Sequence, residues 1–391
     1  MTIALLEALT FGLGRLADAA RAAGHDLVLL TGDRSIYTHE LSRRGDRLRV
    51  VDVDTTDVDA CERALRGEPE LAGLISSTDT WALPGADLAA RLGLPGPSPA
   101  AVRVLRDKRA VRARLHEHGL SRSGPLDPAA ARSFPLVVKD SAGTSSRAVW
   151  VVRTPAERDA VLREAAGVPL KGELMAEPYF EGPLYSAETV TWRGETRLLG
   201  VLSRVLSPEP VRREEAASFP VAFPAADRAE LAHWIDRVLK AAGHESGFAH
   251  TEFVLTAGGP EVVEVNARIG GALVGEALCR ALGVNVYGAM VRIALGERPD
   301  PLDGAAGGVG FVLLYPREAG VLEGWTGLDR LPGLPGSPEW YPTASPGDVL
   351  EHLDDQRSCT GIVLAEGPTA ELALHRAQAA AGGITPVVRA G

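Results

Sequence analysis

His250-Thr251-Glu252-Phe253 and, beyond the break Ala257-Gly258-Gly259-Pro260, Glu264-Val265-Asn266-Ala267-Arg268 are the residues on which the reading of this chain turns. Both segments have strand-forming composition, and the Gly-Gly-Pro break reads as the turn of a hairpin, with strands over 251–256 and 261–266. Side chains alternate faces along a strand, so Glu264 and Asn266 share one face, as do Glu252 and Val254. A loop of three or five residues sets Glu252 opposite Glu264 or Asn266. Carboxylates facing each other across strands repel. A divalent cation removes that repulsion, and two carboxylates with an amide oxygen suit Mg²⁺ (or Mn²⁺) shared with substrate phosphates. The competing explanation is a solvated polar face on an edge hairpin. Arg268 and Gly270-Gly271 tilt the balance, because a guanidinium and exposed amides favour a transferring phosphate. His250 sits where a base would be considered, although a histidine beside a carboxylate is commonly a structural hydrogen-bond partner.

Working outward, Lys139 ends an apolar strand over 134–139 and leads into the small-residue loop Ser141-Ala142-Gly143-Thr144-Ser145-Ser146. Such a loop suits backbone amides folding over a phosphate chain. It is no Walker A loop, since GxxxxGK[ST] is absent and a strand over 148–152 is expected to follow. A plain hairpin with a snorkelling lysine is the simpler alternative. Lys108 stands in Arg106-Asp107-Lys108-Arg109, within a helix expected over 99–118 that also carries Arg103, Arg112 and Arg114; a basic helical face of this kind is usually solvated. Glu177-Pro178-Tyr179-Phe180-Glu181-Gly182 is an extended acidic–aromatic segment. It suits backbone contacts to adenine and a carboxylate contact to ribose, or equally an edge strand with a turn.

The chain has 391 residues, enough for two or three domains. Strands alternate with helical patterns up to residue 98, implying a parallel sheet, and Gly93-Leu94-Pro95-Gly96-Pro97-Ser98-Pro99 reads as a connector. The division expected is a Rossmann-like domain over 1–98, a central two-lobed region over 99–300 with a lid lobe near 123–190, and a C-terminal α+β domain over 301–391. The net charge of −10 without a long basic run argues against nucleic acid as the main partner. Three scattered cysteines form no disulfide framework, and no apolar run approaches the roughly 20 residues of a membrane span. A cytoplasmic protein is the expectation.

These pieces, in this order, resemble the ATP-grasp superfamily, and among its members the carboxylate–amine ligases that include L-amino-acid (dipeptide) ligases. The resemblance runs over nearly the whole chain: the "RDK" helix at 106–108, "VVKDSAGTSS", "EPYFEG", "HTEF", "EVNARIGG", and a tail with "GIVLAEGPTAELA" at 361–373. It implies an α/β ATP-grasp fold and ATP-dependent ligation through an acyl phosphate, with ATP converted to ADP and phosphate. One substrate would be an amino acid, and a homodimer is common in similar enzymes. It implies that Lys108 and Lys139 contact ATP phosphates together with the 141–145 loop. Glu177–Phe180 would pinch the adenine, Glu252, Glu264 and Asn266 would hold one or two Mg²⁺ ions, and Arg268 would steady the acyl phosphate or its donor carboxylate. Similar proteins carry a ribose-binding acid where this chain has Leu184; Glu181 is the substitute expected. Glu188 matches a recurring acidic position, and Arg204, Gly270 and Gly271 are expected near the substrate.

Two rival readings remain. Gly12-Leu13-Gly14-Arg15-Leu16-Ala17 matches GxGxxA between a strand and a helix, with Asp33 about twenty residues on, which taken alone reads as an NAD-dependent dehydrogenase. The other is a nucleotide-binding sensor without catalysis, against which the intact acidic trio speaks.

Overall fold

The alternating strands and helices of the N-terminal stretch do fold into a parallel sheet. The computed structural model describes residues 1–42, 48–144, 147–209 and 211–390. This first unit contains β1 (Thr2–Leu6), α1 (Leu13–Ala22), β2 (Asp26–Thr31), α2 (Thr38–Ser42), β3 (Arg49–Asp52), α3 (Val58–Arg66), β4 (Leu71–Ile75) and α4 (Ala82–Leu92). The strands lie in the order β3-β2-β1-β4, all parallel. Their apolar runs, such as Ile3–Leu6, are buried on both faces, as a covered parallel sheet requires.

Two helices follow, α5 (Pro99–Arg106) and α6 (Lys108–Glu117). The single helix expected over 99–118 is therefore corrected. At Asp107 the backbone is extended, and its carboxylate accepts from the amides of Arg109 (2.8 Å) and Ala110 (3.4 Å). An aspartate that captures backbone donors starts a new helix instead of continuing the old one.

A small antiparallel sheet, β6-β5-β7, comprises β5 (Leu136–Asp140), β6 (Val149–Val152) and β7 (Leu174–Pro178), with α7 (Pro155–Ala165) against it. Its strands end at Pro178, short of the 190 expected for the lid lobe, because β8 (Leu184–Trp192) already pairs in the large sheet. The large sheet continues with β9 (Glu195–Leu206), β10 (Glu214–Phe219), α8 (Ala225–Ala242), β11 (Gly247–Thr256), β12 (Gly259–Asn266), α9 (Val274–Leu282), α10 (Tyr287–Ala294) and β13 (Gly308–Leu314). The chain ends in β14 (Gly320–Thr326), β15 (Glu339–Pro342), β16 (Val349–Leu350), β17 (Gly361–Gly367), α11 (Ala370–Ala381) and β18 (Thr385–Arg389). Eight antiparallel strands run β12-β11-β8-β9-β10-β13-β17-β15, so the segment beyond residue 301 extends the central sheet through the β10–β13 pair. The strands β16-β14-β18 form a further small sheet.

A register shift shapes this sheet. Glu188 pairs with Gly200 but Thr189 pairs with Leu198, so β9 carries an extra residue. In consequence Leu198 and Val201 join the core beneath α6 and α8, whereas Leu199 and Leu202 face the opposite core, shared with α9, α10 and the N-terminal sheet. The N-terminal unit is further tied down by Arg15, whose guanidinium lies 2.7 Å from Glu276 on α9. Among the described residues no single helix is long and apolar enough to cross a membrane.

Two consequences for stability follow from packing. Gly310 on β13 lies so close to α11 that an added Cβ would sit 2.4 Å from the backbone of Leu374. Gly310→Ala is expected to cost about 1–3 kcal/mol or more, read as a lower urea midpoint with an unchanged slope. His244, in the turn before β11, is buried, and burial holds its imidazole down at about 4 despite its contact with the Gly247 carbonyl (3.3 Å). Since the unfolded chain takes up that proton near pH 6.5 and the folded chain near 4, stability is lost as pH falls through this window. The loss is on the order of 3 kcal/mol. A His244→Phe variant should lack this slope; parallel pH–stability curves for the two proteins would refute it.

Candidate active site

The hairpin β11–β12 sets Glu252 opposite Glu264 and His250 opposite Asn266. The expected loop length is corrected: Thr256 pairs with Gly259, leaving a two-residue turn, and Val263 is an extra residue in β12. The bulge restores the odd offset that a longer loop would have supplied, so the same pair of carboxylates meets.

Behind this pair the sheet carries a buried polar floor. His250 Nδ1 lies 2.5 Å from Glu188 on β8, and its Nε2 lies 3.0 Å from Arg204 on β9 and 3.3 Å from Glu252. Burial pushes the imidazole pKa down, but the Glu188 and Glu252 carboxylates overcome this and raise it to about 9. Arg204 also contacts Glu252 (2.9 Å) and, from its Nε, Glu214 on β10 (3.0 Å). Burial alone would raise the Glu252 pKa, yet Arg204 and His250 hold it far below the usual carboxylate range. For Glu214 burial wins, and its pKa is raised. His250 is thus held from two sides, the arrangement of a structural partner. Gly270 packs beneath it: a Cβ there would lie 2.8 Å from the His250 ring.

The opposite wall comes from the small sheet and α6. Lys108 Nζ donates to the Gly143 carbonyl (2.6 Å) and lies 3.3 Å from Glu264, while its amide donates to the Ser141 carbonyl (2.8 Å). The helix break at Asp107 is what delivers Lys108 here. The loop entering from β5 is shaped by Asp140, which accepts from the amides of Ala142, Lys171 and Gly172 (3.0, 2.7 and 2.9 Å). Lys139 is buried, with Nζ 2.6 Å from Glu177 and 3.1 Å from the Val263 carbonyl. Burial lowers its pKa; Glu177 opposes that by favouring the charge. Glu177 in turn would be raised by burial, but Lys139 and Arg112 hold it low.

These walls enclose a cleft of about 820 Å³. Lys108, Lys139, Gly143, Thr144, Glu177, Tyr179, Phe180, Arg204, His250, Glu252, Glu264, Asn266, Arg268 and Gly271 line it, and so converge as candidates. Valines 137, 149, 151, 254 and 263 add an apolar lining of the kind that suits a flat base. Besides Gly270, which packs beneath His250, four expected residues fall otherwise. The Ser141 side chain is buried and accepts from the Glu173 amide (3.2 Å); Pro178 pairs with Leu136; Glu181 is exposed beside a wall formed by Gly182, Pro183 and Leu184; Glu188 lies under His250. Ser145 lies outside the described residues. Both carboxylate oxygens of Glu177 are engaged, one by Lys139 and the other by Arg112.

Do these residues suit a metal? Among the described residues no three His, Cys, Asp or Glu side chains gather into a cage. The donor set is instead two opposed carboxylates and an amide. The Asn266 amide sits 3.0 Å from Glu264 and 3.1 Å from Asp79, donating its N–H bonds when the nitrogen faces them and forming an oxygen cluster when turned over. Such a set fits a hard cation whose remaining ligands come from phosphates and water.

Three further participants lie outside the individual site residues expected above. Arg112, counted there with a solvated face, is 2% exposed and contacts Glu177 (2.8 Å) and Glu261 (3.3 Å). Asp79, from the loop after β4, pairs with Arg268 and lies 3.3 Å from Arg106. Glu214 begins β10 and lies 3.0 Å from Arg204. The carboxylate partners of Arg112 and the Arg268 partner of Asp79 are remote in sequence, so no local pattern signals them. The GxGxxA loop is already engaged: the Gly14 amide donates to Glu40 (2.8 Å), and a Cβ on Gly12 would lie 2.0 Å from the Tyr287 hydroxyl.

Three family models match in succession: an ATP-grasp N-terminal domain over 17–96, an ATP-grasp domain over 132–276, and an L-amino acid ligase C-terminal domain 2 over 286–389. The uncharacterized protein y4rH of Sinorhizobium fredii is 25% identical over 362 residues, covering 88% of this chain and 73% of that one. Carnosine synthase 1 of Gallus gallus is 29% identical over 286 residues, 62% of this chain; the match spans 30% of the synthase. The crystal structure of an L-amino acid ligase from Bacillus licheniformis superposes with a TM-score of 0.83 at 20% identity, covering 99% of this chain and 98% of that one. By its succession of domains and its architecture, which is that of the L-amino-acid ligases, the chain belongs to the ATP-grasp superfamily and is an ATP-dependent ligase.

Proposed function

We propose that the chain joins a carboxylate to an amine, with an amino acid as one substrate, through an acyl phosphate and with release of ADP and phosphate. The observation that carries this is the meeting, in one cleft, of the Glu252–Glu264 pair and Asn266 with Lys108, Lys139 and Arg268. Phosphoryl transfer depends chiefly on positioning and on neutralising charge. A divalent cation held by Glu252, Glu264 and Asn266 would neutralise the β- and γ-phosphates. Lys139 and Lys108 hold the phosphate chain from the lobe side, with the Gly143–Thr144 backbone above it. Arg268 stands beside the metal ligands, placed to receive the anion of the donor carboxylate and then of its acyl phosphate. Acyl phosphates hydrolyse readily, so the loop after β5 is assigned the exclusion of water.

The test is ATP consumption with Mg²⁺ against pooled amino acids and small carboxylic acids, with ADP and AMP separated. ADP and phosphate that appear with one donor–acceptor pair support the reading. AMP and pyrophosphate, or ADP formation indifferent to every pool, would overturn it.

A further inference from the structure

Arg268 follows the strand that carries Glu264 and Asn266, and it is already partly engaged. Its NH1 donates to the Ile269 carbonyl (2.8 Å) and its NH2 to Asp79 Oδ2. Its Nε–H is buried and has no hydrogen-bond partner among the described residues. Asp79 therefore grips the guanidinium with a single oxygen, although an arginine fork binds a carboxylate most strongly with two parallel bonds. The other oxygen of Asp79 lies 3.3 Å from Arg106.

From this geometry we propose that Asp79 is a displaceable counter-ion. It neutralises Arg268 in the resting protein and yields it to the anion that arrives in the cleft, the donor carboxylate or the phosphoryl group made from it. This rests on the carboxylate-ligase reading. Three points support it. A buried guanidinium without a counter-ion is strongly unfavourable, so the resting cleft needs a charge at this place. An incoming carboxylate or phosphate can bridge Nε and NH2, completing hydrogen bonds that Asp79 leaves unmade. Asp79 is not stranded on release, because Arg106 remains its partner. Since Asp79 belongs to the loop after β4, the exchange also ties the N-terminal sheet to the state of the ligation centre. Asp79 acts through Arg268 and is a positioning residue.

Inorganic phosphate is a probe that needs no turnover. Its binding can be read from the rise in melting temperature with phosphate concentration, with Asp79→Asn and Asp79→Ser compared with the wild type. Removing the competing charge should tighten phosphate binding about tenfold, an ordinary size for coupling between two sites. The gain should vanish when Arg268→Gln is added. Phosphate binding that is unchanged or weaker in whichever Asp79 variant folds, or a gain that survives Arg268→Gln, overturns the proposal. Failure of the ligase reading appears separately, as absence of pair-dependent ADP. Once a donor is in hand, the same variants should lower its KM and leave that of ATP unchanged, a split that a purely structural role would not produce.

Discussion

Glu264→Ala is expected to lower ATP turnover about 10²–10³-fold, the scale on which loss of one preorganised charge-stabilising group is felt. Its side chain is 21% exposed and stands across the strand pair from Glu252. Truncation removes one of the two opposed carboxylates and frees Lys108, which lies 3.3 Å away. Neither change opens a cavity in an apolar core, so stability should stay within about 1 kcal/mol of wild type. Mg²⁺ titrations of ADP release, beside melting curves, check both halves. Near wild-type turnover with the same Mg²⁺ dependence would remove Glu264 from the metal assignment. Glu264→Gln should be almost as impaired, because the amide keeps the shape but loses the charge.

Arg112→Met carries the largest expected cost to stability, about 3–5 kcal/mol. Arg112 serves two buried carboxylates, Glu177 at 2.8 Å and Glu261 at 3.3 Å, and also donates to Ser121 (2.9 Å). Methionine fills much of the volume but leaves Glu261 to Arg122, which is half exposed, and Glu177 to Lys139 alone. The effect should reach the site: with Arg112 gone, Glu177 holds Lys139 more tightly, and the KM for ATP should rise. Arg112→Lys should recover only part of the loss, since an ammonium cannot span partners held by a planar fork. A urea midpoint within about 1 kcal/mol of wild type for Arg112→Met would show that this network contributes little.

Much of the site was legible because it lies in short segments whose alternation has one structural meaning. A carboxylate and an amide spaced by two, Glu264 and Asn266, share one face in a strand, with Arg268 directly downstream. The mutual repulsion of Glu252 and Glu264 then points to a cation. The same logic gave the parallel N-terminal sheet. It failed where one residue carried two possible local roles. Asp107 in a basic helix reads as a surface charge, but its carboxylate captured two amides and split the helix. The turn at 257–258 reads as the source of register, whereas a bulge at Val263 sets it. GxGxxA reads as a dinucleotide loop until Glu40 and Tyr287 are found against it.

By itself, then, the sequence determined the periodicities, the turn chemistry and the order of the charged motifs, because these depend on residues near one another along the chain. Tertiary structure alone decided which charges are neutralised. Whether Arg112 is a solvated cation or a buried clamp, whether Glu177 is free, and what Arg268 holds all depend on partners 38 to 189 residues away. In a low-dielectric cleft such pairing governs which charges remain for a substrate. That pairing exists only once the N-terminal loop, the small sheet and the large sheet meet.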